Sequence, residues 1–126
     1  MDIKGCIPKD KFDTAAIKRA SQIGFPILNP ILSDLLGWVQ DANWPVAPHT
    51  ASLLSTAGVE ILPHIRAILN SEDGVWKYWT IELVVTNLNS DVQIELHDEL
   101  ARLAGHPTKD DQLEAVDVAA QGILNA

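Results

Sequence analysis

The chain has a single cysteine, Cys6, so no disulfide can form within its 126 residues. A chain without internal disulfides is typical of a reducing compartment. The N-terminal segment around Cys6 also lacks the long apolar stretch of a signal peptide. We therefore expect a cytoplasmic protein in which residues 1–12 form an irregular, mobile segment.

Long apolar runs and basic residues are also scarce. No stretch approaches the roughly 18 apolar residues of a membrane span, although apolar residues make up 47% of the composition. The chain has 9 Lys and Arg residues against 17 Asp and Glu residues, and its formal net charge is −8. Such a chain repels phosphate backbones, so neither a nucleic acid nor a membrane is an expected partner.

Sequence motifs of catalysis, cofactor binding and metal binding are absent. The chain has no G-x-S-x-G motif, no phosphate-binding glycine loop and no dinucleotide fingerprint. Its four histidines lack the H-x-x-x-H and H-E-x-x-H spacings of metal sites. We therefore name no catalytic residue, no metal ligand and no cofactor, and we do not expect an enzyme.

An internal repeat is the strongest positive signal in the sequence. Residues 31–40 and 61–70 share apolar side chains at the same positions, and each segment is followed by an Asp and a Trp-containing stretch. A weaker third copy of the pattern covers residues 96–104. In each copy the apolar positions are spaced so that they form one face of a helix. Repeats of this length predict stacked helical hairpins.

The apolar spacing predicts helices almost throughout the chain and no β-strand. Asp73 is a predicted helix cap, and both Ser90-x-x-Gln93 and Thr108-x-x-Asp111 match the capping-box pattern. These signals divide the chain into a leading helix and three helical hairpins. The predicted helices are 13–23, 28–40, 45–57, 59–70, 74–88, 91–104 and 109–124.

Two boxes within the repeats resemble a known family. They are the NWPV box at 43–46 and the VWKYW box at 75–79. With these boxes, residues 28–124 resemble a small bacterial family of HEAT-like domains of unknown function. The resemblance implies an all-α fold, a right-handed α–α superhelix of about three HEAT-like hairpins plus an N-terminal capping helix. It implies no activity. The length of the chain predicts one domain over residues 1–126.

Most aromatic side chains are concentrated in or beside these boxes. Trp38 lies on the apolar stripe of its helix, so we expect it in the core. Trp44 and Trp76 either fill the gap between consecutive hairpins or belong to an interface, since Trp and Tyr are enriched at binding hot spots. Lys77 and Tyr78 do not share the face of Trp76 and are expected to be exposed. Trp44, Trp76, Lys77 and Tyr78 are therefore candidate interface residues.

Acidic residues are concentrated in the last third of the chain. Residues 88–126 carry eight acidic and two basic groups, whereas residues 1–20 have a net positive charge. Carboxylates at helical spacings on adjacent helices predict one acidic surface, although negative charge in a first helical turn also has a purely structural explanation. The candidate interface carboxylates are Glu95, Asp98, Glu99, Asp110, Asp111 and Glu114.

The acidic surface and the aromatic boxes together predict a protein-interaction module. Such a surface would attract and steer a basic protein partner. One class of basic partner is a toxin domain, which would make this chain an immunity or antitoxin-type protein. Two alternatives stay open: a small-ligand-binding protein or enzyme with an aromatic-walled pocket, and a structural adaptor or homo-oligomer. The sequence does not define the oligomeric state.

Overall fold

The computed structural model describes residues 2–126, and the regular secondary structure of this part of the chain is helical. No β-strand occurs among these residues, and the predicted all-α class is confirmed. The α-helices are α1 (Thr14–Ile23), α2 (Leu32–Leu36), α3 (Val46–Leu54), α4 (Leu62–Leu69), α5 (Gly74–Trp79), α6 (Ser90–Gln93), α7 (His97–Gly105), α8 (Lys109–Leu113) and α9 (Val116–Leu124).

Short 3₁₀ and π turns extend several of these helices into longer segments. Helix α2 has a 3₁₀ turn at each end and belongs to segment 29–39, and α4 belongs to segment 59–69. Helix α5 continues through a π turn and a 3₁₀ turn into segment 74–87, and α6 and α7 form segment 90–105. The predicted boundaries of all four segments are confirmed to within one residue.

The helical segments contact one another in chain order. Helix α2 packs against α3, α4 against α5, and α7 against α9, so each first helix contacts the second helix that follows it. Successive first helices also touch, as α2 does with α4, and so do successive second helices, as α5 does with α9. Helix α1 packs against α3 at the N-terminal end of this series.

We use two names for these sets of helices. The first row consists of segments 29–39, 59–69 and 90–105, which contain the three copies of the repeated apolar pattern. The second row consists of α3, segment 74–87 and the pair α8 and α9.

One cluster of buried aliphatic side chains lies between the two rows. Leu35, Ile65 and Leu100 occupy equivalent positions in the three copies of the repeat, and all three are fully buried. Ile81 and Val116 are fully buried members of the same cluster from the second row. Burying each such side chain contributes about 1.5–3 kcal/mol. The equivalent burial in all three copies fixes the register of the repeat.

The N-terminal segment is partly ordered, so the expectation that it is mobile is wrong for its first turn. Residues Ile3–Cys6 form a 3₁₀ turn that contacts α1, and Cys6 is buried. Arg19 of α1 donates from Nε and Nη2 to the Gly5 carbonyl oxygen at 3.1 and 2.8 Å, which attaches this turn to the helix. Residues 7–12 contain no regular helix, as expected. Met1 lies outside the described residues.

The predicted helix caps have different outcomes. The Asp73 carboxylate accepts from the Trp76 backbone N–H at 3.1 Å, which confirms that cap. The Thr108–Asp111 capping box is also confirmed, with both of its hydrogen bonds at 3.1 Å. The Ser90–Gln93 box is wrong, because α6 begins one residue earlier, after Asn89. The Gln93 side chain instead donates to the Val85 carbonyl at 2.8 Å and ties segment 74–87 to α6.

The predicted helix 109–124 is wrong as a single helix, because it breaks at Ala115. Ala115 has a left-handed backbone with φ 59° and separates α8 from α9. No glycine or proline marks this position. The break allows α8 to direct Asp111 and Asp110 towards α5, while α9 packs along α7.

Gly74 is required by the close approach of α8 to the first residue of α5. The Gly74 backbone N–H donates to Asp110 Oδ2 at 3.2 Å. A Cβ atom at Gly74 would lie 2.5 Å from Asp110 Oδ2, 2.9 Å from Glu114 Cγ and 3.2 Å from Glu114 Cβ. Glycine is therefore the residue type that lets the second and third helix pairs meet here.

We expect Gly74→Ala to lower the free energy of unfolding by about 1–3 kcal/mol, because the added methyl group displaces α8. Gly122→Ala is the matched control, since Gly122 lies in α9 and a Cβ atom added there would have no neighbouring atom within 4 Å. That change should stabilise the protein by about 0.5–1 kcal/mol through helix propensity. Urea unfolding measures both values. Equal effects of the two substitutions would contradict the close contact at Gly74.

Candidate functional site

Trp38 and Trp44 form an aromatic pair where the first hairpin turns. Their ring centroids are 5.5 Å apart at an interplanar angle of 64°. Both side chains are half-buried, so the expectation that Trp38 belongs to the core is wrong. Helix α2 tightens into a 3₁₀ turn at Gly37–Val39, which moves Trp38 off the apolar stripe while Val39 stays buried. Trp44 therefore closes the hairpin by packing edge-on against Trp38.

Trp76 joins two consecutive helix pairs. Its indole Nε1–H donates to the Leu36 carbonyl oxygen at 3.1 Å, so a side chain of α5 satisfies the C-terminal end of α2. The ring is half-buried and packs against the core. Tyr78 is also half-buried against the core, so the expectation that it is exposed is wrong. Its ring packs edge-on against Trp79, with the two ring centroids 4.8 Å apart. Trp76 and Tyr78 of the VWKYW box thus both make contacts inside the protein.

Lys77 and Asp111 form a buried ion pair, so their assignment to an exposed interface is wrong. Lys77 is 3% exposed and Asp111 is 0% exposed. The Lys77 ammonium contacts Asp111 Oδ1, and Asp111 Oδ2 accepts from the Thr108 backbone N–H. A lone charge is not stable at such depth, whereas a charge with a hydrogen-bonded counterion is. The pair therefore connects α5 in the second helix pair to α8 in the third.

The environment of Asp111 keeps its carboxylate ionised. Burial acts to raise the pKa of Asp111, but the hydrogen bonds from the Lys77 ammonium and the Thr108 backbone N–H outweigh burial and lower the pKa below its ordinary value. Asp111 is thus an anion at neutral pH.

Asp110 and Glu114 have exposed side chains, but both lie against the start of α5. Asp110 caps Gly74 through the 3.2 Å hydrogen bond described above, and Glu114 borders the same glycine. A carboxylate at a helix N-terminus is favoured by the unpaired N–H groups there. These two predicted interface residues therefore contribute to the junction between the second and third helix pairs.

Two arginines fill the groove between the second and third segments of the first row. Arg66 Nε pairs with Glu99 Oε1 at 2.8 Å, and its Nη2 donates to the Glu95 carbonyl at 3.0 Å. Arg102 donates to the Leu69 carbonyl at 3.3 Å and to Asn70 Oδ1 at 2.8 Å, which caps the end of α4. The predicted interface residue Glu99 is therefore neutralised by an arginine of the preceding pair.

Five carboxylates along the first row are exposed to solvent. Within the part of the chain that the structure describes, none of them makes a side-chain hydrogen bond or an ion pair. We call this set the acidic face: Asp34, Glu60, Asp91, Glu95 and Asp98. Only Glu95 and Asp98 belong to the predicted interface, whereas Asp110 lies on α8 in the second row.

Asp34 and Glu60 were missed by the sequence interpretation, although the repeat could have identified them. A shift of 30 residues places Asp34 at the position of His64, and a shift of 35 residues places Glu60 at the position of Glu95. His64 follows Glu60 by one helical turn, so these positions share one side of the first row. A comparison of the acidic residues at equivalent positions of the repeat copies, rather than of how many lie close together in the sequence, identifies the acidic face.

Two exposed aliphatic side chains lie beside these acids. Val59 is 57% exposed and Ile94 is 59% exposed, and both immediately precede a carboxylate of the acidic face. They occupy equivalent positions in the second and third copies of the repeat. Adjacent packed helices are about 8–10 Å apart, so the two side chains are near enough to contact one partner surface.

A cleft of about 140 Å³ opens between the first and second segments of the first row. Leu36, Ile68 and the Trp76 ring provide its apolar surface. Its remaining lining residues are Ser33, His64 and Ala67. We call this the Trp76 cleft.

Two further properties of residues 2–126 bear on the class of site. No three His, Cys, Asp or Glu side chains in this range come together as a metal site would require. None of the helices formed by the same residues has the length and apolar character to cross a membrane.

Comparison with known proteins places the chain in one family. The family model described as "Domain of unknown function (DUF5071)" matches residues 6–124. No curated protein matches the chain. The match agrees with the expectation of a family of unknown function.

We expect Asp111→Asn to destabilise the protein by about 3–5 kcal/mol at pH 7, because it leaves the buried Lys77 ammonium without a counterion. Since folding lowers the pKa of Asp111, the stability that this carboxylate contributes is complete at neutral pH. It is lost as the pH falls through the ordinary Asp value of about 4 towards the lower folded value. The difference between the two proteins should therefore shrink in acid, as measured by urea unfolding at a series of pH values.

Asp98→Asn is the matched control for this experiment. Asp98 is exposed and unpaired, so its substitution should change neither the stability at pH 7 nor the acid dependence appreciably. A constant difference between Asp111→Asn and the unsubstituted protein from pH 7 to pH 3 would contradict the assigned role of the ion pair.

Proposed function

The chain belongs to the DUF5071 family of unknown function, and we propose that it is a protein-interaction module that binds a basic partner protein through the acidic face. We propose further that its three helix pairs form a HEAT-like repeat with the right-handed superhelical arrangement of such proteins. In that arrangement the first row presents one continuous side to solvent, and the acidic face lies along it.

The observation that carries this proposal is the combination of unpaired charge with exposed apolar surface. The five carboxylates of the acidic face have no counterion among residues 2–126, and Val59 and Ile94 lie among them with more than half of their surface exposed. Apolar contacts surrounded by polar or charged groups are the usual composition of a protein interface. Carboxylates that a protein does not use internally remain free to pair with another molecule.

Charge also defines the chemical class of the partner. Within the described residues, both arginines of the first row are already engaged, Arg66 with Glu99 and Arg102 with the end of α4, so the acidic face attracts cations. Long-range attraction of this kind accelerates encounter with a lysine- or arginine-rich surface and disfavours nucleic acid. A basic toxin domain is one partner of this chemistry, and its neutralisation is the form of the proposal that would make the chain an immunity protein.

The alternative functions have less support from the geometry. Small-molecule sites are clefts of about 300–1,000 Å³, whereas the Trp76 cleft, which would be the aromatic-walled pocket, is about 140 Å³. Other clefts on the described residues reach about 340–400 Å³, but no Trp, Tyr or Phe lines them. A symmetric dimer through the acidic face would place carboxylates of one copy opposite carboxylates of the other, which is unfavourable. A basic protein of different sequence needs no small-molecule cleft, and it would place positive charges opposite the carboxylates.

We expect selection of a phage-displayed random peptide library on this protein to enrich peptides with a net positive charge. The double variant Glu60→Gln/Glu95→Gln should bind those peptides about tenfold more slowly, because it removes steering charge from the acidic face. Surface plasmon resonance at low and high salt would measure the association rates.

The matched control is Glu72→Gln/Glu82→Gln, which removes the same charge from exposed positions outside the acidic face. This control should retain most of the association rate. Enrichment without a charge preference, or an equal loss in both double variants, would show that the acidic face is not the binding surface.

A further inference from the structure

The two grooves of the first row differ at equivalent positions. In the groove between segments 59–69 and 90–105, the side chains of Arg66 and Arg102 cross from one segment to the other. Leu36 occupies the position of Arg66 one copy earlier, and Ala67 likewise occupies the position of Arg102 one copy earlier. Neither residue can reach across the groove.

Leu36 and Ala67 both line the Trp76 cleft. The cleft is therefore the space that two arginine side chains would occupy if the first groove were built like the second. Its walls are also held in place, because the Trp76 ring is fixed by the 3.1 Å hydrogen bond to the Leu36 carbonyl and Ile68 belongs to the core.

We infer that the Trp76 cleft is an anchor pocket for one apolar side chain, Phe or Leu, of the basic partner. This inference rests on the proposed function and adds the residue that the partner inserts. A cavity of about 150 Å³ lined by aliphatic and aromatic side chains is large enough to bind benzene, and the Trp76 cleft is about 140 Å³. The cleft thus matches the volume of one such side chain.

The charges at the rim specify the neighbours of this side chain in the partner. Ser33 and His64 are polar lining residues of the cleft, and we call them its rim. Asp34 follows Ser33 in the sequence, and Glu60 lies one helical turn before His64. Both carboxylates are exposed, and neither forms an ion pair with any residue in the range 2–126. If the partner has Lys or Arg on either side of the Phe or Leu that enters the cleft, these basic side chains would pair with Asp34 and Glu60. Such buried apolar anchors commonly carry much of an interface's binding energy.

The probe for this inference is a peptide enriched from the phage library, which we expect to contain Phe or Leu next to Lys or Arg. Ala67→Phe fills the cleft and should weaken peptide binding at least about tenfold. Ala101→Phe is the matched control, because Ala101 is an exposed alanine on the neighbouring first-row segment, outside the cleft. It should leave the affinity within about twofold. Isothermal titration would measure both affinities.

A second measurement uses the unsubstituted protein and does not depend on the folding of a variant. The Trp76 indole N–H resonance should shift when the peptide is added, and the shift should disappear when the peptide's Phe or Leu is replaced by Ala. No shift of this resonance at saturating peptide would overturn the inference.

The outcomes separate this inference from the proposed function. If Glu60→Gln/Glu95→Gln weakens binding but Ala67→Phe does not, the acidic face is the binding surface and the anchor pocket is wrong. If neither variant weakens binding, or if no basic peptide is enriched, both proposals fail. Loss of binding in Ala67→Phe and in the charge variant, with retention in Ala101→Phe, supports both.

Discussion

The buried ion pair of Lys77 and Asp111 is the contact on which the position of the third helix pair depends. It joins α5 to α8, and it is surrounded by three features that require the same close approach: the glycine at position 74, the Asp110 cap on α5 and the Thr108 capping box. A charged pair is a demanding contact to bury, because each partner is costly without the other. Both charges are satisfied where α5 and α8 approach this closely, so the pair favours this relative placement of the two helices.

Through that placement the ion pair also determines what the first row presents to solvent. Helix α9 packs along α7, so fixing α8 and α9 against α5 fixes segment 90–105 beside segment 59–69. The arginine contacts across this groove then hold Glu95 beside Arg66 of α4, so that Glu95 and Ile94 occupy the repeat positions that Glu60 and Val59 occupy in the neighbouring segment. The exposed acidic surface on one row is thus a consequence of an internal contact on the other.

Sequence patterns predicted the helices well and the roles of polar residues poorly, for a physical reason. Helix boundaries depend on local apolar spacing and caps, and segments such as 29–39 were therefore predictable to within one residue. The burial of Lys77 depends on a partner 34 positions later, which no local pattern reveals. The break at Ala115 likewise arises from tertiary packing and has no glycine or proline to signal it. Polar density grouped Asp111 with Asp98, although the structure buries the first and exposes the second.

Leu36 and Ala67 lie one copy before Arg66 and Arg102, respectively, and this difference has a consequence for how a repeat protein can diverge. Duplicated hairpins begin with the same surface positions, and in one groove of this chain those positions join the protein to itself. In the other groove the same positions carry short side chains and leave an open space. A contact that is made across one groove is thus absent from the other, and the groove without it offers positions at which recognition of another molecule can evolve.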